Sequence, residues 1–418
     1  MVAAQELPVP AALPVTGAWR VGDPPGGRRF AEVGPLPLEA GGRLDGVTVA
    51  YETWGRLSPA RDNAVLVLHA LTGDSHVVGP QGPGHPTPGW WDGLIGPGQM
   101  LDTDRWFVVA PNVLGGCQGT TGPSSAHPDG RPYGSRFPFV TVRDQVAAEA
   151  ALTDHLGVDR WALVVGGSMG GMRAIEWAVS YPQRVERLLA LATCAAATGD
   201  QIAWCSPQLA AIRSDPHFAG GDYYEALPGQ GPQNGLGIAR RIAQVTYRSG
   251  NEINMRFGRS PQLGENPVGG EGRYAIESYL DHHADKLVSR FDANSYVVLT
   301  EAMNSHDVGR GRGGVAAALA RVTARTTVVA VDSDRLYPVD LNALVAAGIP
   351  DAAPLQVLHS PYGHDGFLVE SAAVGRLVAA LLEEHDPDDA PAAGTADAQV
   401  SDAQVSDAQV SDAQVAGA

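Results

Sequence analysis

The chain has 418 residues, of which 44% are hydrophobic and 18% charged, so it can bury a large core and is neither fibrous nor wholly disordered. Its formal net charge of −17 argues against nucleic-acid binding, which requires a basic surface. Because no stretch approaches the roughly 18 apolar residues of a membrane-spanning helix and the start lacks the apolar core of a signal peptide, we expect a cytoplasmic protein.

Both ends of the chain are predicted to lie outside the fold. Residues 1–30 mix Pro, Gly, Arg and acidic residues, and we expect a flexible N-terminal segment there. Residues 386–418 are acidic and of low complexity, and the run Ser-Asp-Ala-Gln-Val occurs three times between Ser401 and Val415. This tail has too few apolar groups to offset the entropy of ordering it, so it is predicted to be disordered.

Between these ends, short runs rich in Val and Leu alternate with helical patterns. The predicted strands are Val47–Tyr51, Ala64–Leu68, Trp106–Ala110, Trp161–Val165, Leu188–Ala192, Thr326–Val331 and Leu355–His359. The predicted helices are Val142–Leu156, Met172–Tyr181 and Phe367–Leu382. Such alternation is typical of an α/β fold with a mostly parallel central sheet and helices on both faces. We assign this core to residues 31–194 and 320–385.

Residues 195–319 interrupt the alternation, because no buried strand is predicted there. Helical patterns cover Gln201–Ile212, Leu236–Arg248, Tyr274–Leu287 and Ser295–Met303. Pro207 is expected to break the first of these helices. The pattern predicts a helical lid inserted between two strands, which would exclude water from a site at the end of the sheet.

A metal site and a disulfide framework are not expected. The three cysteines, Cys117, Cys194 and Cys205, form no C-x-x-C pair. The adjacent His282 and His283 point in different directions on a helix, whereas a metal requires converging ligands.

The segment Gly-Gly-Ser-Met-Gly at residues 166–170 matches the nucleophile elbow Gly-x-Ser-x-Gly, in which a tight strand-to-helix turn exposes a serine hydroxyl above the sheet. The pattern alone is weak in a chain with 51 glycines. A predicted strand directly before it and a predicted helix directly after it supply the required context. The sequence therefore predicts Ser168 as a nucleophile.

A serine nucleophile needs a base and a carboxylate that orients the base, and in this fold they follow in the order Ser, acid, His. Asp332 and Asp334 both follow a predicted strand, and Asp334 is preferred because it lies further into the loop. His364 follows the last predicted strand on a glycine-flanked loop. We therefore predict a triad of Ser168, Asp334 and His364.

An oxyanion hole requires two backbone N–H donors, one from the residue after the nucleophile and one from a loop after an earlier central strand. The first donor is predicted to be Met169. The second is predicted to be Leu71, on the loop that follows the strand Ala64–Leu68.

Five runs in one order resemble the homoserine O-acetyltransferase family, and the likeness extends from about Phe30 to Leu382. They are His-Ala-Leu-Thr-Gly-Asp-Ser-His (69–76), Gly-Gly-Ser-Met-Gly-Gly (166–171), Ala-Met-Asn-Ser-His-Asp-Val-Gly-Arg-Gly (302–311), Ser-Asp-Arg-Leu-Tyr-Pro (333–338) and Tyr-Gly-His-Asp-Gly-Phe-Leu (362–368). The resemblance implies an α/β-hydrolase fold and the same triad. The sequence of residues 201–213 departs from the one usual in the family, so the resemblance defines the acyl pocket less well than the triad.

The resemblance also implies the reaction, in which acetyl passes from acetyl-CoA through an acyl-serine to L-homoserine, as in methionine biosynthesis. It implies that Arg240 and Asp365 hold the amino acid, and a guanidinium and a carboxylate suit its carboxylate and ammonium groups. It further implies a homodimer formed through the lid helices and acetyl-CoA as a cosubstrate, with no permanently bound cofactor. A homoserine or serine O-succinyltransferase, a deacetylcephalosporin-type O-acetyltransferase, a plain esterase and a catalytically silent binding module remain as alternatives.

Overall fold

A computed structural model describes residues 13–383 of the protein. In this part of the chain the strands are β1 (Arg29–Pro37), β2 (Arg43–Trp54), β3 (Ala64–Leu68), β4 (Ile95–Gly96), β5 (Leu101–Asp102), β6 (Phe107–Pro111), β7 (Leu163–Gly167), β8 (Arg187–Leu191), β9 (Arg325–Val331) and β10 (Gln356–Leu358). The α-helices are α1 (Val142–His155), α2 (Met169–Ser180), α3 (Gly199–Arg213), α4 (Gln233–Tyr247), α5 (Gly250–Phe257), α6 (Ala275–Val288), α7 (Ala293–Asn304), α8 (Val315–Leu319), α9 (Val339–Gly348), α10 (Gly366–Val369) and α11 (Ser371–Glu383).

Eight of the described strands form one sheet in the order β1-β2-β6-β3-β7-β8-β9-β10. The pairs β1–β2 and β2–β6 are antiparallel, and every other pair in this sheet is parallel. The seven predicted strands are all confirmed, as is the α/β class with a mostly parallel sheet. Since the parallel strands run the same way, the loops after β3, β7, β9 and β10 emerge at one edge of the sheet.

Helices cover both faces of the sheet, as the two-residue period of the strands dictates. On β3, Leu66 packs in a core cluster with Ala174 and Trp177 of α2. Its neighbours Val65 and Val67 pack on the opposite face, in a cluster that contains residues of α11. Strands that are buried on both faces need apolar residues at every position, which explains the continuous Val and Leu runs in the sequence.

Residues 192–324, between β8 and β9, carry α3 to α8 and contribute no strand to the sheet. The four predicted lid helices correspond to α3, α4, α6 and α7, whereas α5 and the short α8 were not predicted. The expected break at Pro207 is wrong, because α3 continues to Arg213. Burial of Leu209 and Ile212 after the proline stabilises the last turns and offsets the hydrogen bond that Pro207 cannot donate.

The N-terminal segment corrects a second expectation, because residues 13–30 belong to the fold. The Gly17 N–H donates to the Phe291 carbonyl at 3.1 Å, and the Trp19 N–H donates to the Cys117 carbonyl at 2.9 Å. Strand β1 already begins at Arg29. The Pro- and Gly-rich composition therefore reflects close backbone packing against the lid and core. The predicted segment 1–12 and the predicted tail 386–418 lie outside the described residues.

Strand β1 was missed because its sequence contains Gly34, Pro35 and Pro37. An edge strand tolerates such residues, since one side of its backbone has no ladder to complete. The pairing with β2 shifts register around Gly34, whose φ of 81° marks an irregularity in the strand. Among the described residues, no helix is both long enough and apolar enough to span a membrane.

Candidate active site

Ser168 lies in the sharp turn between β7 and α2, with φ 57° and ψ −124°. A non-glycine residue at positive φ is strained, and here the Ser168 N–H helps to hold it by donating to the Leu191 carbonyl at 3.0 Å. A Cβ on Gly166 would lie 2.3 Å from the carbonyl oxygen of Gly170. A Cβ on Gly170 would lie 2.1 Å from the carbonyl oxygen of Leu68. The two motif glycines therefore permit the close approach that the turn requires.

His364 lies in a short 3-10 turn, Gly363–Asp365, just after β10. Its Nδ1 lies 2.6 Å from Oδ2 of Asp334, and both side chains are buried. The other oxygen of Asp334 accepts hydrogen bonds from the backbone N–H groups of Leu336 and Tyr337, at 2.8 and 2.9 Å. The carboxylate is thus fixed on both oxygens and orients the imidazole, as the predicted roles of these two residues require.

Asp332, the rival acid in the sequence, lies in a different environment. Its Oδ2 lies 2.9 Å from Nδ1 of His359, whose side chain is 83% exposed, and its Oδ1 accepts from the Ser360 N–H. Of the two aspartates in this loop, only Asp334 reaches His364 among the contacts of the described residues.

The other ring nitrogen of His364, Nε2, is buried and makes no hydrogen bond to any described residue. Three aromatic rings surround the imidazole, and Tyr337 stacks on it with a centroid distance of 5.0 Å. Phe367 packs edge-on at 5.5 Å, and Tyr247 lies at 5.9 Å. His364 and Ser168 line the same cavity. The unengaged Nε2 of His364 is therefore the ring atom suited to exchange a proton with a serine or a ligand.

The loop after β3 brings Leu71 to the same cavity as Ser168, while Met169 is the first residue of α2. Neither the Leu71 nor the Met169 backbone N–H donates a hydrogen bond to a described residue. At the start of a helix the first N–H groups have no partner within the helix. Both predicted oxyanion donors are thus available to a ligand.

His69 helps to fix the loop that carries Leu71. Its Nε2 accepts a hydrogen bond from the Val113 N–H at 3.1 Å, so the proton is on Nδ1, which donates to the Ala70 carbonyl at 2.7 Å. Burial and the nearby charge of Arg173 lower the pKa of His69 to about 3. The ring is therefore neutral, and it does not change charge near neutral pH.

A buried ion pair lies beneath this loop. Arg173 donates to Oε1 of Glu149 at 2.6 Å and also to the His69 carbonyl, while Trp177 donates to Oε2 of Glu149 at 2.7 Å. Burial lowers the pKa of Arg173 and raises that of Glu149, although their mutual attraction opposes both shifts. The pair connects α1 and α2 to the loop that carries Leu71.

Two cavities meet at Ser168, and Leu71 and Tyr247 line both of them. The smaller has about 300 Å³ of open space and includes His364 and Asp365. The larger has about 490 Å³ and reaches under the lid. Its remaining lining residues are Met172, Ala197, Gln201, Trp204, Cys205, Gln208, Thr246, Met303, Asn304, Leu336 and Tyr337. None of these side chains carries a formal charge at neutral pH.

Of the predicted ligand-binding pair, Asp365 shares a cavity with the nucleophile, whereas Arg240 is not among the lining residues of either cavity. Asp365 is buried and lines the smaller cavity, and Arg240 is buried with its guanidinium carbon 5.3 Å from the centroid of the Tyr247 ring. Burial raises the pKa of Asp365, while the positive charges of Arg248 and Arg240 oppose the rise. Asp365 also has a partner that was not predicted, since Nη1 of Arg248 lies 3.4 Å from its Oδ2.

Glu52, His76 and His85 form the one group of three potential metal ligands found among the described residues. The His85 Nε2 already accepts a hydrogen bond from the Gly27 N–H at 2.9 Å. A Cβ on Gly27 would lie 2.7 Å from Oε2 of Glu52, so backbone fills the space beside the carboxylate. The contacts are those of a hydrogen-bonded cluster that anchors the N-terminal segment, rather than of a site shaped for an ion.

The sequence interpretation missed Arg248, Tyr247 and the lid residues of the larger cavity, such as Trp204. A signal for Arg248 existed, because it follows Arg240 by eight residues and so falls on the same side of a helix. Glu252, four residues further on, offered a partner for it. For Trp204 no such signal exists, since an aromatic residue in a helix is ordinarily part of a core.

Comparisons with known proteins agree with this geometry. A sequence profile described as alpha/beta hydrolase fold matches residues 63–371. Homoserine O-acetyltransferase of Thermobifida fusca is 66% identical over 373 residues, covering 89% of this chain and 98% of the relative. The enzyme of the same name from Leifsonia xyli is 61% identical over 366 residues, covering 87% and 91%. Among solved structures, homoserine O-acetyltransferase from Bacillus anthracis matches with a TM-score of 0.78 and 27% identity, covering 85% and 97%. Esterase E22 matches with a TM-score of 0.77 and 28% identity, covering 85% and 99%.

Proposed function

The chain belongs to the homoserine O-acetyltransferase family, and we propose that Ser168, His364 and Asp334 transfer an acetyl group from acetyl-CoA to L-homoserine through an acyl-serine. The observation that carries the proposal is that a strained serine, an oriented imidazole and the unengaged Leu71 N–H lie along one cavity, with the unengaged Met169 N–H directly after the serine. Acetyl-CoA is a cosubstrate in this scheme, and no bound cofactor is needed. Because acetyl-CoA is consumed, we place the reaction in the cytoplasm.

In the first half-reaction, Nε2 of His364 takes the Ser168 hydroxyl proton as the serine oxygen attacks the thioester carbonyl. The Leu71 and Met169 N–H groups stabilise the resulting oxyanion, and one such donor is worth about 10² to 10³ in kcat. Collapse of this intermediate breaks the C–S bond, and the imidazolium returns its proton to the departing thiolate. The products are acetyl-Ser168 and free CoA.

In the second half-reaction, the hydroxyl of homoserine attacks the acetyl-serine while His364 again accepts a proton. The same two N–H groups hold the second oxyanion. Breakage of the bond to Ser168 then regenerates the serine with the proton from His364 and releases O-acetyl-L-homoserine. In this scheme Asp365 binds the ammonium and Arg240 binds the carboxylate of the acceptor.

The larger cavity supports acetyl over succinyl as the transferred group. A succinyl group would bring a carboxylate into this space, where burial of an unpaired charge is costly. The cavity lining includes no Lys, Arg or His among the described residues, whereas its Met, Trp and Tyr side chains suit a methyl group.

A matrix of acetyl-CoA and succinyl-CoA against L-homoserine, L-serine and deacetylcephalosporin C tests the proposal by release of free thiol. We expect the acetyl-CoA and L-homoserine pair to give the highest kcat/KM. Ser168→Ala should lower it by about 10⁴-fold or more, because the nucleophile is lost. A preference for succinyl-CoA or for another acceptor would overturn the substrate assignment but not the triad.

The second candidate function is that of an ester hydrolase, because esterase E22 has the same fold at 28% identity. In that case water would take the place of homoserine as the acceptor. Thiol release from acetyl-CoA without homoserine distinguishes the two functions. A transferase releases one equivalent of thiol per active site and then slows, whereas a hydrolase continues at its steady rate.

We also propose that two copies pair through the lid helices. Large apolar side chains face outward on three of them, with Ile202 on α3 and Ile238 on α4 each 40% exposed and Met255 on α5 75% exposed. Light scattering on the full chain should give twice the mass of one chain, and Ile238→Glu or Met255→Glu should shift the protein toward the monomer. A monomeric wild-type protein at micromolar concentration would contradict this proposal.

A further inference from the structure

Arg248 connects the lid to the turn that carries His364. It follows the last residue of α4 and is almost completely buried. Its Nε and Nη2 donate to the two carboxylate oxygens of Glu252 at 3.2 and 2.8 Å, and its Nη1 donates to Asp365 at 3.4 Å. The guanidinium carbon lies 5.0 Å from the centroid of the Tyr362 ring. Because each nitrogen of the planar guanidinium has a defined partner, the Arg248 side chain is held in a single position.

The backbone of this junction is also closely packed. The Ser249 hydroxyl donates to the Pro361 carbonyl at 2.5 Å. A Cβ on Gly363, whose φ is 67°, would lie 2.6 Å from the Ser249 nitrogen. The turn at residues 363–365 therefore cannot shift without moving the end of α4, and Asp365 keeps a fixed distance from Arg248.

The charge state of Asp365 depends on the neighbouring Arg248. Burial favours the neutral acid and raises its pKa, and the charges of Arg248 and Arg240 oppose that effect. A neutral Asp365 would not attract an ammonium group. Other charged and titratable groups around this pair include His364 on the same turn, Tyr362 just before it, Tyr247 on α4, Glu252 and Arg256 on α5, and Tyr279 and His283 on α6.

We propose that Arg248 is a positioning residue for the acceptor site, which keeps Asp365 ionised and directed so that the enzyme selects acceptors that carry an ammonium group. The proposal rests on the function proposed above. It assigns to Arg248 no contact with the reacting atoms. A purely structural ion pair between Arg248 and Glu252 would instead change kcat/KM by the same factor for all acceptors.

The test compares two acceptors, L-homoserine and 4-hydroxybutanoate, which has the same hydroxyl and carboxylate groups but no amine. For each enzyme form the measured quantity is the ratio of their kcat/KM values. We expect Arg248→Gln to lower this ratio about tenfold, because Asp365 loses a charged hydrogen-bond donor that directs its carboxylate and favours its ionised form. Arg248→Lys should give an intermediate ratio, because lysine keeps the positive charge but cannot make the hydrogen bonds of the planar guanidinium to both Glu252 and Asp365.

Acylation of Ser168 by acetyl-CoA supplies the internal control, because this half-reaction involves no amino acid. The burst rate of Arg248→Gln measures any disturbance of His364, which lies on the same turn as Asp365, and such a disturbance cancels in the ratio of the two acceptors. With homoserine, the acidic limb of the kcat/KM profile should move to higher pH in Arg248→Gln, because a larger fraction of Asp365 is protonated. With 4-hydroxybutanoate the limb should stay in place. Should Arg248→Gln not fold, the ratio measured for Arg248→Lys decides the question.

Asp365→Asn separates failure of this inference from failure of the proposed function. If Asp365→Asn leaves the ratio unchanged, the assignment of Asp365 to the acceptor ammonium is wrong. If Asp365→Asn lowers the ratio but neither Arg248 variant does, only the role of Arg248 is overturned. Equal losses for both acceptors, together with a slower burst, would make Arg248 a structural residue.

Discussion

His364 binds Asp334 through an interaction of 2.6 Å between Nδ1 and Oδ2, whereas Asp332, only two residues earlier, pairs with His359. The difference lies in where the two side chains point after β9. Asp334 faces inward and is held by two backbone N–H groups, whereas Asp332 pairs with the exposed His359. The two aspartates therefore form a matched pair for mutation.

Asp334→Asn should lower kcat by about 10³ to 10⁴-fold, because an amide no longer stabilises the imidazolium or fixes the correct tautomer of His364. Asp332→Asn should change kcat less than about threefold, since its partner is a solvent-exposed side chain. Thiol release under saturating substrates measures both values. Similar losses in the two variants would mean that the loop as a whole, rather than Asp334, supports the reaction.

Gly170→Ala should destabilise the protein by about 3 kcal/mol, because the new methyl group meets backbone atoms that cannot move aside. Gly199→Ala is the matched control, since a Cβ there has no atom within 4 Å and Gly199 is the first residue of α3. That change should be neutral or stabilise by up to about 1 kcal/mol. Urea unfolding of both variants measures the difference, and a stable, active Gly170→Ala would contradict the close approach at the elbow.

Arg173→Met should lower the free energy of unfolding by about 3 to 5 kcal/mol, because it leaves Glu149 buried without its partner and removes a hydrogen bond to the His69 carbonyl. The double variant Arg173→Met/Glu149→Gln should recover part of this loss. For comparison, Arg213→Ala at the partly exposed pair with Glu301 should cost less than about 1 kcal/mol. Equal effects at the two sites would show that burial does not govern these ion pairs.

Stability should fall as the solution is acidified below pH 6.5, because burial lowers the pKa of His283 to about 3 and that of His306 to about 4. Because the pKa of each histidine is lower in the folded protein than in the unfolded chain, the unfolded chain binds more protons below about pH 6.5. The stabilisation from each neutral, buried histidine is therefore fully present above about pH 6.5 and is lost progressively as the pH falls toward the folded-state pKa. Each of these histidines should cost about 1 kcal/mol between pH 7 and 5.5.

Urea unfolding at the two pH values measures this effect. His283→Phe removes one titrating group and should reduce the difference in the free energy of unfolding between pH 7 and 5.5 by about 1 kcal/mol. An unchanged difference in this variant would mean that His283 is accessible to protons in the folded protein.

The sequence by itself determined the α/β class, the central strands and the order of the three triad candidates. These features follow from local rules, because doubly buried strands need continuous apolar runs and the elbow needs glycines at fixed positions. Tertiary structure decided the rest. The sequence preferred Asp334 to Asp332 only from its place in the loop, and the tertiary structure shows which carboxylate points toward a histidine thirty residues away. Tertiary structure also placed β1 and residues 13–30 in the fold, because edge pairing and backbone packing leave no periodic signal. Arg248 gained its contact with Asp365 in the same way, because the end of α4 meets Asp365 only after the chain returns from the lid to the sheet.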